Sequence, residues 1–102
     1  MKNLWTTAAL VLAAAGAQAQ TPDALYLKSL AATCANCHGT DGRAVNGSSV
    51  PTIAGMPREY LLTQLKAFKA GTRPATVMHQ LSKGYSDAQI EQIAAYFAAQ
   101  KK

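Results

Sequence analysis

Five consecutive residues, Cys34-Ala35-Asn36-Cys37-His38, hold both cysteines of the chain and one of its two histidines. Two thiols at this spacing can each add across a vinyl group of one porphyrin, giving two thioether bonds. The histidine that follows at once is then held beneath the ring, where an imidazole nitrogen can bind iron. C-x-x-C-H is accordingly the attachment pattern for a c-type haem. Iron with a protein imidazole on one face needs a sixth ligand, or keeps an open face for chemistry.

Other uses of these residues ask for more than the chain offers. A thioredoxin-like redox pair sits in a βαβ surrounding, and no segment alternates like a strand. A structural zinc site needs two further ligands, and the only other Cys or His is His79. A disulfide across two residues, followed by a chance histidine, is the remaining alternative.

Past Met1, three residues offer a sixth ligand: Met56, Met78 and His79. A thioether favours ferrous iron and raises the potential relative to two imidazoles. Met56 stands between Gly55 and Pro57, soon after His38, so the loop between them would have to carry it over the ring edge at once. Met78 follows a whole further helix, which gives the chain room to reach the opposite face. Spacing therefore favours Met78, with ordinary core packing as the alternative use of a methionine there. His79 reads as a surface histidine.

The elements that must position these groups begin after a leader. Met1-Lys2-Asn3 is a short positive start, Leu4 to Ala15 an apolar run, and Ala17-Gln18-Ala19 a small-x-small cleavage pattern. Together they read as a secretory signal peptide, residues 1–19, cut after Ala19. The apolar run is shorter than the ~20 residues a spanning helix needs, so no membrane anchor is expected in the mature chain. Residues 20–102 form one domain. Export suits the motif, because haem is attached to such chains outside the cytoplasmic membrane, where thiols otherwise oxidise. A domain this small is marginally stable alone, and a covalent haem would add a large apolar body to its core.

Thr21-Pro22-Asp23 opens a helix: a capping hydroxyl, a proline suited to the first position, and an acid at the positive end of the dipole. Leu27, Leu30, Ala31 and Cys34 mark its apolar face, so this helix is expected to deliver Cys34 and His38 to the core, with Gly39 and Gly42 ending it. Gly39 to Gly55 reads as an irregular loop wrapping the porphyrin edge. Val50, Pro51 and Ile53 are its candidate ring contacts, and the carbonyl of Pro51 is the candidate acceptor for the ring N–H of His38, a bond that fixes the imidazole. Pro57 opens a helix to about Ala70, with Leu61, Leu62, Leu65 and Phe68 as its core stripe, Arg58, Glu59, Gln64, Lys66 and Lys69 facing water, and Gly71 stopping it. A shorter helical piece runs from Pro74 or Ala75 to about Ser82. Ser86 to Gln89 is a capping box for a last helix to about Gln100, with Ile90, Ile93, Ala94 and Phe97 on one face. The expected fold is a small all-α domain with its N- and C-terminal helices packed together.

Formal charge is +5 for the whole chain and falls by one when Lys2 leaves with the leader. Basic residues are dispersed, without the dense basic block and interleaved aromatics of a nucleic-acid binder. A mild positive face suits either steering towards an acidic redox partner or plain solvation.

Three stretches, Cys34 to Gly42 (CANCHGTDG), Pro51 to Gly55 (PTIAG) and Tyr60 to Gly71 (YLLTQLKAFKAG), resemble class I bacterial cytochromes c of the c4/c553 type. Ala75 to Ser86 (ATVMHQLSKGYS) with Ile93 to Phe97 (IAAYF) resembles more closely the cytochrome subunit of flavocytochrome c sulfide dehydrogenase. This resemblance implies the class I cytochrome c fold, covalent haem on Cys34 and Cys37, His38 as proximal and Met78 as distal iron ligand. It also implies a partner, an FAD-containing subunit that oxidises sulfide and passes electrons to the haem. Some relatives carry two haem domains, whereas this sequence has one motif. The expected function is one-electron transfer in the periplasm by a single-haem cytochrome c, which would turn over no substrate by itself. It would serve as partner or subunit of a flavoprotein sulfide dehydrogenase, or alternatively as a free-standing carrier to a respiratory partner. A peroxidase or gas sensor with an open haem face is a further alternative.

Overall fold

The computed structural model describes residues 19–102. The expected leader, residues 1–19, therefore lies outside the described residues except for Ala19. Five α-helices follow in order: α1 (Pro22–Ala32), α2 (Ala35–His38), α3 (Arg58–Ala70), α4 (Met78–Lys83) and α5 (Asp87–Ala98), with a 3-10 turn at Thr40–Gly42. No strand occurs among the described residues.

The start of α1 is the one its residues dictate. Thr21 Oγ1 accepts from the backbone N–H of Ala24 at 3.2 Å, and Pro22 and Asp23 occupy the first turn. Its end differs from expectation. The helix stops at Ala32, and Cys34 and His38 belong to a separate turn, α2. The break is at Thr33, whose hydroxyl donates to the Leu30 carbonyl at 2.7 Å. With its own hydrogen spent there, Thr33 Oγ1 accepts from the hydroxyl of Tyr85 at 2.5 Å, a partner 52 positions away.

Helix α5 is the spine. Its capping box closes in both directions, Ser86 Oγ accepting from the N–H of Gln89 at 3.1 Å and Gln89 Oε1 from the N–H of Ser86 at 2.9 Å. Ile90, Ile93, Ala94 and Phe97 are at most 2% exposed. Both α1 and α3 pack on this helix, so the N- and C-terminal helices meet as expected. The core is small: Leu30, Ala31, Leu61, Ile93, Ala94 and Phe97 form its buried cluster. Burying each large member removes enough apolar surface to contribute about 1.5–3 kcal/mol.

The loop between Gly42 and α3 is fastened at both ends. Gly42 O accepts from the N–H groups of Ile53 and Ala54 at 2.8 and 3.1 Å, and the N–H of Gly55 donates to Phe97 O at 2.8 Å. Helix α3 ends on Gly71 in the left-handed region (φ 77, ψ 12), as a glycine stop requires. Lys69, expected to face water, reaches across instead. Its Nζ donates to Tyr85 O at 2.7 Å and Asp87 Oδ1 at 3.1 Å, tying α3 to the start of α5. Helix α4 begins at Met78, later than the expected Pro74 or Ala75. Pro74 to Val77 are non-helical and line a cavity.

Candidate functional site

A cavity of about 610 Å³ opens between α2, the loop ahead of α3, α3 itself and α4. On one side stand Cys34, Cys37 and His38; Val50, Pro51 and Ile53 come from the loop, and Met78 from the first position of α4. The sequence thus named residues that are distant in the chain and share one wall in space.

Both cysteines are free thiols, Cys37 exposed and Cys34 half-buried. Burial pushes the Cys34 thiol up from its ordinary value, with a smaller opposing effect from the Thr33 hydroxyl and a further rise from neighbouring Cys37. It is therefore a neutral thiol at neutral pH. His38 Nδ1 lies 2.7 Å from the carbonyl oxygen of Pro51. A carbonyl only accepts, so Nδ1 carries the proton and Nε2 keeps its lone pair. This is the bond expected from the sequence, and it holds the imidazole in one orientation.

The loop carries Met56 to the cavity as well as Val50, Pro51 and Ile53, so proximity alone does not separate it from Met78. The two differ in surroundings. Met56 is packed against the buried core cluster, and Met78 is not part of that packing. His79, expected at the surface, is half-buried, with Nδ1 buried and without a hydrogen-bond partner among the described residues, and it does not line the cavity.

The α3 stripe also does more than fill the core. Only Leu61 is buried; Leu61, Leu65 and Phe68 line the cavity, and Leu62 packs on the core. Tyr60, Gln64, Arg73 and Tyr85 complete polar positions on the wall. Sequence reasoning missed these four. Tyr60 and Gln64 sit one turn apart on the face shared with Phe68, which is the signal that could have found two of them. Nothing local marks Arg73 or Tyr85.

The residues fit a c-type haem. The walls are mainly apolar aliphatic and aromatic groups, two unbridged thiols and an imidazole nitrogen with a free lone pair share one side, and a thioether stands at the first turn of α4. Among the described residues no group of three or more His, Cys, Asp or Glu is placed to hold a bare metal ion. The donor set suits iron in a porphyrin, which brings four of its own nitrogens.

Comparison with known proteins agrees with this chemistry. A family model for cytochrome c matches residues 26–101. The cytochrome subunit of sulfide dehydrogenase from Chlorobaculum tepidum is 47% identical over 68 residues, 67% of this chain and 60% of that protein. Cytochrome c4 from Pseudomonas aeruginosa is 37% identical over 101 residues, 99% of this chain and 50% of that protein. A solved cytochrome c4 of Acidithiobacillus ferrooxidans superposes with a TM-score of 0.67 at 30% identity, covering 80% of this chain and 52% of that one. The chain spans about half to three fifths of the length of these relatives. It belongs to the cytochrome c family, as an all-α class I member that binds haem c covalently and serves electron transfer.

Proposed function

We propose that the chain holds one haem in this cavity and passes single electrons through it. Cys34 and Cys37 are the thioether donors, His38 Nε2 the proximal iron ligand and Met78 Sδ the distal one. The observation that carries this reading is the bond from His38 Nδ1 to Pro51 O at 2.7 Å, which leaves Nε2 free beside two unbridged thiols. Met78 is preferred to Met56 because Met56 already packs on the buried core. When bound, haem c supplies a one-electron ferrous–ferric couple. The chain's own residues fix and insulate it. The Pro51 carbonyl orients the imidazole and raises its basicity, and Ile53, Leu65 and Phe68 keep water from the ring. With both axial positions filled, the chain alone turns over no substrate.

Residues 1–19 act as an export signal cut after Ala19, and residues 20–102 work in the periplasm. The physiological partner is an FAD-containing sulfide dehydrogenase subunit, a reading supported by the 47% identity to a protein named as the cytochrome subunit of sulfide dehydrogenase. A free-standing carrier is the second reading, favoured by likeness to a cytochrome c4 across 99% of this chain.

The test is expression of the whole chain in a bacterium that loads haem in its periplasm. The protein should emerge coloured, with the intact mass of residues 20–102 plus one haem. A colourless protein, or one retaining Met1, contradicts the proposal. Co-purification with an FAD protein and reduction of the haem by sulfide would select the subunit reading; neither would occur for a free carrier.

A further inference from the structure

Haem is an apolar ring that carries two carboxylates, and a mainly apolar cavity must answer that charge. Among the residues lining it, Arg73 is the only Lys or Arg, and no Asp or Glu is present. The end of α3 sets Arg73 in place: after Gly71 turns into the left-handed region, the N–H groups of Thr72 and Arg73 both return to Ala67 O, at 3.0 and 3.3 Å. Its guanidinium carbon stands 4.7 Å from the ring centroid of Phe68, within cation–π range. Its Nη1 donates to Gln64 Oε1. Gln64 and Phe68 line the same cavity.

No carboxylate of the chain answers this cation. The ion pairs among the described residues are Arg43–Asp41, Arg58–Glu59 and Lys69–Asp87. Of the five N–H donors of a guanidinium, Gln64 takes one, and the fork matches a carboxylate in a bidentate manner. A side chain fixed by stacking and by an amide has already lost the rotamer freedom that binding would otherwise cost.

We infer that Arg73, aimed by Gln64 and Phe68, binds a carboxylate of the haem and thereby keeps it ionised and raises the reduction potential. The inference rests on the haem being seated in this cavity. The sign follows from charge: oxidation adds a positive charge at the iron, and a fixed cation at the cavity wall disfavours it. Arg73 acts as a positioning and electrostatic residue, since the iron ligands lie elsewhere.

The experiment uses the loaded protein in four forms: wild type, Arg73→Gln, Arg73→Lys and Lys66→Gln, the last an exposed cation of α3 outside the cavity. Haem substituent resonances are followed by NMR as pH is lowered, and the midpoint potential is measured at neutral pH. The other titratable groups on the wall, Cys34, Cys37, His38, Tyr60 and Tyr85, are the same in all four. Arg73→Gln should make the haem carboxylate bind its proton about tenfold more tightly, a rise of about one pKa unit, and should lower the potential. Arg73→Lys should keep more of the potential than Gln, while losing part of the carboxylate effect. Lys66→Gln should change neither. If Arg73→Gln fails to mature, Arg73→Lys carries the test, and a titration identical to wild type overturns the inference. A coloured Arg73→Gln protein with an unmoved titration, or a shift shared by Lys66→Gln, also overturns it. A colourless wild type overturns instead the seating of haem on which it rests.

Discussion

One backbone carbonyl decides what His38 can do. By accepting from Nδ1 at 2.7 Å, Pro51 leaves the opposite nitrogen as the sole Lewis base of the ring. Elsewhere a second polar pair shows how a single contact ties chain ends together. Tyr96 donates to Asp41 Oδ1 at 2.5 Å across 55 positions. That hydrogen bond to the carboxylate is the main cause of a Tyr96 pKa above its ordinary value of 10.0, with burial and the Asp41 charge adding to it and Arg43 opposing. The folded value is the higher one, so the bond's contribution is complete below pH ~10 and is lost as pH rises through the raised folded value. Tyr96→Phe should cost about 1 kcal/mol at neutral pH, and the cost should shrink in strongly alkaline solution. Denaturant melts of the loaded protein at the two pH values would show this; an unchanged or growing difference at high pH would be inconsistent with it.

At the scale of elements, glycine positions separate two kinds of constraint. Gly71 has a positive φ of 77 but open space around it, so Gly71→Ala should cost only the left-handed strain, about 1–2 kcal/mol. Gly42, at φ 81, would place a new Cβ 2.8 Å from both Ile53 Cγ1 and Phe97 Cδ1. Overpacking then adds to the strain, and Gly42→Ala should cost about 2–5 kcal/mol in a chemical denaturation series. Equal costs at the two positions would contradict the packing drawn here. The helix starts at Thr21 and Ser86, the stop at Gly71 and the inner face of α5 were all legible in the sequence, because each depends on residues within one or two turns. Ser86→Ala should remove the cap and cost about 1 kcal/mol. The break at Thr33 was hidden because it depends on Tyr85, which the chain brings up only after three more helices. The late start of α4 was hidden for a like reason: Pro74 to Val77 are spent on the cavity wall, a destination no local pattern announces. The motif side of the site, Cys34 to His38, was legible as chemistry, and the Pro51 acceptor followed from it. Arg73 was one dispersed cation among ten basic residues until the fold placed it alone on an apolar wall.

For the molecule as a whole, the small core and the large cavity belong to one design. Tyr60, Val77 and Leu81 are 49%, 50% and 48% exposed in the protein chain and all line the cavity. A haem seated there covers them and joins α2, α3 and α4 through a single rigid body. The loaded protein should therefore melt well above the unloaded one in calorimetry, and equal midpoints would show that the helices need no cofactor to pack. The same joining places the two axial ligands on different elements, His38 on α2 and Met78 on α4, so that iron fastens both ends of the site. The measurement that tests this arrangement most directly is the weak absorption band of a thioether bound to ferric haem, at the red end of the visible spectrum. Wild type and Met56→Ala should both show it, and Met78→Ala should lack it. A band that survives in Met78→Ala and vanishes in Met56→Ala would place the wrong sulfur on the iron.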